Sequence, residues 1–269
     1  MSGWNRDCQG YRLGLEGGVL TLTLNSPETR NSMQQHMTVE FTQIFIEARA
    51  DPAIRCLLVQ GAGDHLSAGG DIAGFKRALD LPRDQLQAQF HERLDKAADL
   101  AKALVAFDRP ILVRQRGAVA GAAMMLPLAA DLVIADETAS YVFAYNRLGL
   151  SPDGGVSWLL PRAVGERQAR RLMLTTAVLD AGEARALGLV DRIVPAEELD
   201  TAVARAAAQF AAGSQGAITR TKALLAQAMA TPLADQLVAE RDGIVASVGD
   251  SDFAEAVNAF LEKRKARFS

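Results

Sequence analysis

Ile54-Arg-Cys-Leu-Leu-Val-Gln-Gly-Ala-Gly63 runs through Asp64-His-Leu66 into Ser67-Ala-Gly-Gly-Asp-Ile72, and this stretch decides the fold. The apolar run Cys56 to Val59 reads as a strand, ended by the glycines at 61 and 63. A dinucleotide-binding turn would need a third glycine at position 66, where Leu66 stands, and no Walker lysine motif occurs in the chain. A second cluster of small residues follows, closing on Asp71, a residue type that caps helix N-termini.

Outward from this stretch, strands and helices alternate. Val19-Leu-Thr-Leu-Thr-Leu24 alternates apolar and threonine residues and is expected to pair with Tyr11 to Leu15 through a turn at Glu16 to Gly18. From about Gln34 to Arg49, residues Met37, Val39, Phe41, Ile44, Phe45 and Ala48 recur at helical spacings. Downstream come a long helix from about Gln85 to Ala106, a strand Ile111 to Val113, an apolar helix Gly121 to Ala130 and a strand Leu132 to Ala135. Asp180-Ala-Gly-Glu183 is a capping-box pattern, and Arg192-Ile-Val194 reads as a last short strand. The fold class is α/β. Beyond Pro195 the residues are rich in Ala, Leu and Gln with helical periodicity and stops near Gly213 and Pro232, so 1–195 is expected as the core and 196–269 as a helical C-terminal region.

The 269 residues include 29 Lys and Arg against 32 Asp and Glu, a formal charge of −3, with 49% hydrophobic and 23% charged residues. Such a chain can bury a sizeable core, and disordered, collagenous and coiled-coil-rod classes are excluded. The longest basic run is Lys263-Arg264-Lys265, so no nucleic-acid partner is expected. The uncharged stretch of the most apolar region, Gly117 to Ala130, has fourteen residues and contains Pro127. Spanning a bilayer takes about 20, so no membrane association is expected either. Met-Ser-Gly-Trp-Asn-Arg-Asp at the N-terminus is polar where a signal peptide needs an apolar run, which leads to the expectation of a cytoplasmic protein. Cys8 and Cys56 are isolated and suit a reducing compartment.

Several catalytic patterns fail on inspection. His91-Glu-Arg-Leu-Asp95 starts like a zincin motif but ends in Asp, and only His36 and His65 remain elsewhere, so no metal is expected. Gly149-Leu-Ser151-Pro-Asp153 imitates a nucleophile elbow but lacks its last glycine, and Pro152 removes a backbone donor. Two segments survive: Ser67 to Ile72, and Gly117-Ala-Val-Ala-Gly121-Ala-Ala123, each between a strand and a helix. Small residues let a ligand approach the backbone. The free N–H groups of a helix start carry about half a positive charge together, and two such donors converging on one oxygen form an oxyanion hole. Each segment also has a purely structural reading, Asp71 as a helix cap and the Gly/Ala run as close helix packing.

Together with Leu24-Asn-Ser-Pro-Glu-Thr-Arg-Asn31-Ser-Met33, Ala130-Asp131 and Gly149-Leu-Ser-Pro-Asp-Gly-Gly155, these segments resemble the crotonase superfamily of enoyl-CoA hydratases and isomerases. The resemblance extends over nearly the whole chain. It implies a crotonase-like spiral of repeated β-β-α units with a helical C-terminal trimerisation part, and a homotrimer or dimer of trimers. It also implies an acyl-CoA thioester substrate, with coenzyme A as part of the substrate and no separate cofactor. By matching position, the oxyanion N–H groups fall on Gly70 and Ala122, and the backbone that contacts adenine falls on Ala68, Asp71 and Ile72. Phe260 and Lys263 resemble residues that complete the CoA site in relatives, often across a subunit boundary.

In this fold, reaction type follows the carboxylates present. The two glutamates of hydratases correspond to Met125 and Tyr145, and neither side chain is a base at neutral pH, since an unperturbed Tyr has a pKa of about 10. Asp153 stands where several isomerases carry their working aspartate. A chlorobenzoyl-CoA dehalogenase reading would need a Trp at 145 and a catalytic His in the preceding helix, at a position taken to be Ala98. The segment Leu148 to Arg162 is similar to that of ring-epoxyphenylacetyl-CoA isomerases and of 3-enoyl-CoA to 2-enoyl-CoA isomerases. The expectation is an enoyl-CoA isomerase with Asp153 as base. Three alternatives stay open: a hydratase or hydrolase in which Asp153 activates water, a non-catalytic acyl-CoA binder, and an Asp153 that only caps the helix beginning near Gly155.

Overall fold

The computed structural model describes residues 3–269. Strands β1 (Arg6–Cys8), β2 (Tyr11–Glu16) and β3 (Val19–Leu24) form an antiparallel meander. Gly17 and Gly18 join β2 to β3 with φ of 56° and 80°, the left-handed conformation that a two-residue hairpin turn requires. Helix α1 (Gln35–Ala50) buries Met37, Phe41, Ile44, Phe45 and Ala48 of the stripe expected from its spacing, while Val39, two residues from Met37 and off that face, is exposed. Then follow β4 (Cys56–Gly61), α2 (Ile72–Ala78) and α3 (Arg83–Val105). β5 (Ile111–Gln115) leads through β6 (Ala118–Ala120) and a 3-10 turn, Gly121–Met124, to α4 (Met125–Leu128). β7 (Leu132–Ala135) and β8 (Ser140–Val142) precede α5 (Val156–Val164) and α6 (Glu166–Leu174), and β9 (Val178–Leu179), α7 (Ala181–Ala186) and β10 (Arg192–Ile193) complete the body.

The strands divide between two sheets, one ordered β1-β2-β3-β4-β5-β7-β10 and one ordered β6-β8-β9. β5 lies in the first sheet and β6 in the second, β7 in the first and β8 in the second, and helices follow each pair. After β4 the chain makes the same move in rudiment, since Ser67 bridges Val119 of β6 before α2 begins. This is the spiral of β-β-α units that the resemblance implied. Periodicity does not predict the second sheet, because strands of two or three residues are too short to display alternation. The apolar helix expected over Gly121 to Ala130 also divides in two. Pro127 has no N–H and sits most easily in the first turn of an α-helix, and the α-helical part starts just before it.

Parallel strands of the large sheet are buried on both faces. Leu57, Val59, Ile111, Val113 and Val133 point into the main core. Cys56, Leu58, Leu112 and Ile134 point the other way and are covered by Leu199, Ala202, Val203 and Ala207 of α8 (Leu199–Ala211). Burial pushes the Cys56 thiol up to about 12, so it stays protonated and inert. The last three helices, α9 (Gln215–Ala228), α10 (Leu233–Val248) and α11 (Ser251–Leu261), are different: α9 and α10 bury no residue and α11 buries only Ala259. α9 is held to the body by Lys222, whose Nζ donates to Asp131 Oδ2 at 2.6 Å and to the Arg109 carbonyl at 2.8 Å. Among the described residues no helix is long and apolar enough to cross a membrane.

Candidate active site

Asn31 fixes the loops around the first glycine segment. It is 1% exposed, its Oδ1 accepts from Ser26 N–H at 2.9 Å, and its Nδ2 donates to the carbonyls of Ala62 and His65 at 2.9 and 2.7 Å. Ser67 Oγ donates to the Asn31 carbonyl at 2.7 Å, and Met33 N–H donates to the Gly69 carbonyl, also at 2.7 Å. Gly69 has φ of +87°, and a Cβ on it would lie 2.7 Å from the Ala120 carbonyl oxygen. Only glycine allows the two Gly/Ala segments to come this close. Their contact sets Gly70 and Ala122 on the wall of one cavity of about 120 Å³. The Gly70 N–H donates to no backbone carbonyl among the described residues. Ala122 lies in the first turn of its 3-10 helix, where backbone donors have no intrahelical partner. Both residues expected to supply oxyanion donors therefore line one cavity.

The third element of the cavity is the loop before α5. Gly154 has φ of +58°, and a Cβ there would lie 2.7 Å from Met125 Cε and 3.4 Å from the Ala122 carbonyl oxygen, so the loop rests directly on the Gly121–Met124 turn. Asp153 thereby enters the cavity as its sole carboxylate among the described residues. Its Oδ1 accepts from the Tyr145 hydroxyl at 2.8 Å. Burial and then the charge of Asp153 hold Tyr145 well above the ordinary tyrosine range, so the phenol is a donor and not a base. The side chain of Asp153 does not cap α5: the N-cap position is Gly155, and Val156 N–H takes the Asp153 main-chain carbonyl at 3.1 Å.

Of the residues singled out in the sequence, Ala68, Gly70, Ile72, Ala122, Met125, Tyr145 and Asp153 line this cavity. Three stand apart. Asp71 caps α2, with Oδ1 accepting from Gly74 N–H at 2.8 Å and Oδ2 paired with Arg77 at 3.1 Å. Phe260 is 82% exposed near the end of α11, and Lys263 is exposed just beyond it. The position taken as the catalytic-histidine equivalent, Ala98, is exposed, and Ala97 lines the cavity instead. Neither carries an imidazole. Arg93 and Phe75 line the cavity too, and no sequence motif points to either. The available signal was the spacing Arg93, Ala97, Leu100, an i, i+4, i+7 stripe that points one face of α3 inward.

The sequence model of the enoyl-CoA hydratase/isomerase family matches residues 14–269. The chain is 33% identical over 255 residues to the 1,2-epoxyphenylacetyl-CoA isomerase of Escherichia coli, an alignment covering 95% of this chain and 96% of that one. It is 30% identical over 255 residues to the trans-2-decenoyl-[acyl-carrier-protein] isomerase of Streptococcus mutans, with the same coverage of 95% and 96%. The crystal structure of an enoyl-CoA hydratase from a Polaromonas species superposes with a TM-score of 0.88 at 30% identity, covering 96% of this chain and 99% of that one.

Proposed function

The chain belongs to the enoyl-CoA hydratase/isomerase family, and from that premise we propose that it moves a carbon–carbon double bond along an acyl-CoA thioester, with Asp153 as the single base. The observation that carries this reading is the lone carboxylate. Asp153 has Met125 and Tyr145 for neighbours in the cavity where a hydratase would present a glutamate pair. Activating water and delivering its proton usually takes two groups, whereas isomerisation takes one. The Asp153 carboxylate removes a proton from the carbon beside the thioester carbonyl of a 3-enoyl thioester, and the electron pair spreads through the double bond onto the carbonyl oxygen. The N–H groups of Gly70 and Ala122 hold that oxyanion. Asp153 then returns the proton to the far end of the allylic unit, the carbonyl re-forms, and a 2-enoyl thioester results with no net change in atoms. Tyr145 holds Oδ1 by its hydrogen bond and leaves Oδ2 for the proton.

Two of the relatives, those from Escherichia coli and Streptococcus mutans, carry isomerase names, which supports the same reading. The test is incubation with 3-enoyl-CoA and, separately, 2-enoyl-CoA, with chromatographic separation of the positional isomers and mass detection of added water. Interconversion of the two enoyl-CoA isomers is expected. A product heavier by one water as the main species, or free acid and coenzyme A, would replace the isomerase by a hydratase or hydrolase.

For assembly, we propose a homotrimer or a dimer of trimers through the C-terminal region. Leu225, Met229, Leu233, Leu237, Ile244 and Val245 are all more than half exposed, a larger apolar surface than a monomer ordinarily leaves in water. In such an assembly Phe260 and Lys263 would reach the CoA portion of a neighbouring site. Sedimentation of the intact protein at micromolar concentration tests it, and a single monomer boundary would overturn it.

A further inference from the structure

Arg93 is a cation placed in a cavity whose other walls are largely apolar. Its guanidinium lies over the Phe75 ring, 4.5 Å from the centroid, and Nη2 is 3.3 Å from where a Cβ on Gly70 would stand. It thus sits immediately beside one proposed oxyanion donor, on the helix face that also presents Ala97 and Leu100. The two nearest carboxylates are otherwise engaged. Asp71 is taken by Gly74 N–H and Arg77, and Asp153 by the Tyr145 hydroxyl. Among the described residues the Arg93 guanidinium forms neither a hydrogen bond nor an ion pair, and the Phe75 face is its one specific contact. Burial disfavours its charged form, opposed by the charges of Asp153 and Asp71. The guanidinium is partly buried and also borders a second, polar recess lined by Gln34, Asp71 and Gln89, yet the described residues supply none of its five N–H donors with an acceptor, so a purely aliphatic acyl group would leave them to water.

We propose that Arg93 is a specificity-determining residue that selects thioesters whose acyl group carries an oxygen acceptor, a ketone or a carboxylate, within a few bonds of the thioester carbonyl. The proposal rests on the acyl-CoA reading of the cavity and names the substrate class for that site. A charge-assisted hydrogen bond is stronger than a neutral one, and the planar guanidinium can offer two parallel N–H groups to a carboxylate or one to a ketone. The positive charge also offsets Asp153, so that an acidic acyl group entering beside that carboxylate is not simply repelled.

The experiment compares three four-carbon thioesters, butyryl-CoA, acetoacetyl-CoA and succinyl-CoA, by isothermal titration against the intact protein and against Arg93→Met and Arg93→Lys. None of the three requires turnover. Methionine keeps the packing on Phe75 and removes the donors, and circular dichroism checks that each variant is folded. The intact protein is expected to bind at least one oxygenated thioester about ten- to a hundredfold more tightly than butyryl-CoA, the range for one charge-assisted hydrogen bond. Which of the two gains identifies ketone or carboxylate. Arg93→Met should bring that ratio close to one, and Arg93→Lys should restore part of it. Equal affinity of the intact protein for all three thioesters, or a ratio that persists in Arg93→Met, would overturn the role of Arg93 while leaving the acyl-CoA reading intact. An equal loss for all three in Arg93→Met would overturn it too, since the guanidinium would then serve the shared thioester or nucleotide. Failure of all three to bind would remove the acyl-CoA reading itself and this proposal with it.

Discussion

A methyl group added at Gly69 would meet the Ala120 carbonyl oxygen at 2.7 Å, whereas Leu233, Ile244 and Val245 on α10 leave 73, 67 and 66% of their surface in water. Around Gly69 the chain has no spare volume: Asn31, Ser67 and Gly154 each satisfy or seat a neighbour, and the cavity follows from that closure. Along α10 the chain has apolar surface and nothing of its own to cover it. The first region is specified from within one chain. The second presents a face that only the proposed assembly would cover. Tightly closed backbone tolerates almost no substitution, while an open apolar face tolerates many changes in the isolated chain and few in an assembly.

The largest effect is expected inside the closed region. Asp153→Asn removes the base but keeps an acceptor for the Tyr145 hydroxyl, so the geometry should survive. Turnover is expected to fall by about 10²- to 10⁴-fold, the usual contribution of positioned proton transfer. Thioester affinity should remain within several-fold and sedimentation should not change. Retention of more than a tenth of the rate would end the assignment of Asp153 as sole base.

Next in size is Gly69→Ala. The substitution carries both the left-handed φ of +87° and the contact with Ala120, so it pushes the segments holding Gly70 and Ala122 apart. A displacement of about 1 Å at reacting groups costs on the order of a hundredfold in rate. That loss should appear in kcat/KM with a lowered melting temperature. A variant with normal kcat/KM would mean that the approach of the two segments does not set the oxyanion geometry.

The open region answers to a smaller change. Ile244→Glu with Val245→Glu places charge on the exposed face of α10 and should leave the fold of each chain intact. Burying one such side chain is worth about 1.5–3 kcal/mol, so association should weaken by about tenfold or more. Sedimentation over a concentration series reads this directly. An unchanged distribution would locate the interface elsewhere and would make α10 an exposed surface in its own right.

The same contrast explains how much the sequence discloses. The succession of β3, β4, β5 and β7 is legible because these strands are four to six residues long and the helices between them carry clear apolar spacing. That Gly70, Ala122 and Asp153 share one cavity is legible because small residues and a lone carboxylate stand at the positions that the family resemblance singles out. The second sheet is not legible, since two- and three-residue strands leave no pattern and owe their existence to neighbours distant in sequence. Arg93 is missed for a related reason. On α3 it is one charge among many, and only the packing of that helix against Gly70 and Phe75 turns it inward. Phe260 and Lys263 carry a recognisable likeness, but a single chain has no second site to bring them to.

The smallest expected effect is a gain, and it asks whether the closed region alone holds the reaction type. Met125→Glu combined with Tyr145→Glu would place carboxylates at the two positions that the family resemblance assigns to the hydratase glutamates. If Gly70 and Ala122 already polarise the thioester, the pair should introduce slow but measurable hydration of a 2-enoyl-CoA, followed as a product heavier by one water. The gain should be small for three physical reasons. Met125 is 1% exposed and Tyr145 8%, so each new carboxyl resists ionisation. Replacing Tyr145 also removes the hydroxyl that holds Asp153 at 2.8 Å and brings a second acid against it. Finally, no nearby group is arranged to hold the new side chains around a water. Each single substitution should yield less than the pair, because the two carboxylates act on one water. A folded double variant that binds thioesters yet hydrates nothing above background would place reaction type in the shape of the cavity and not in its carboxylate count.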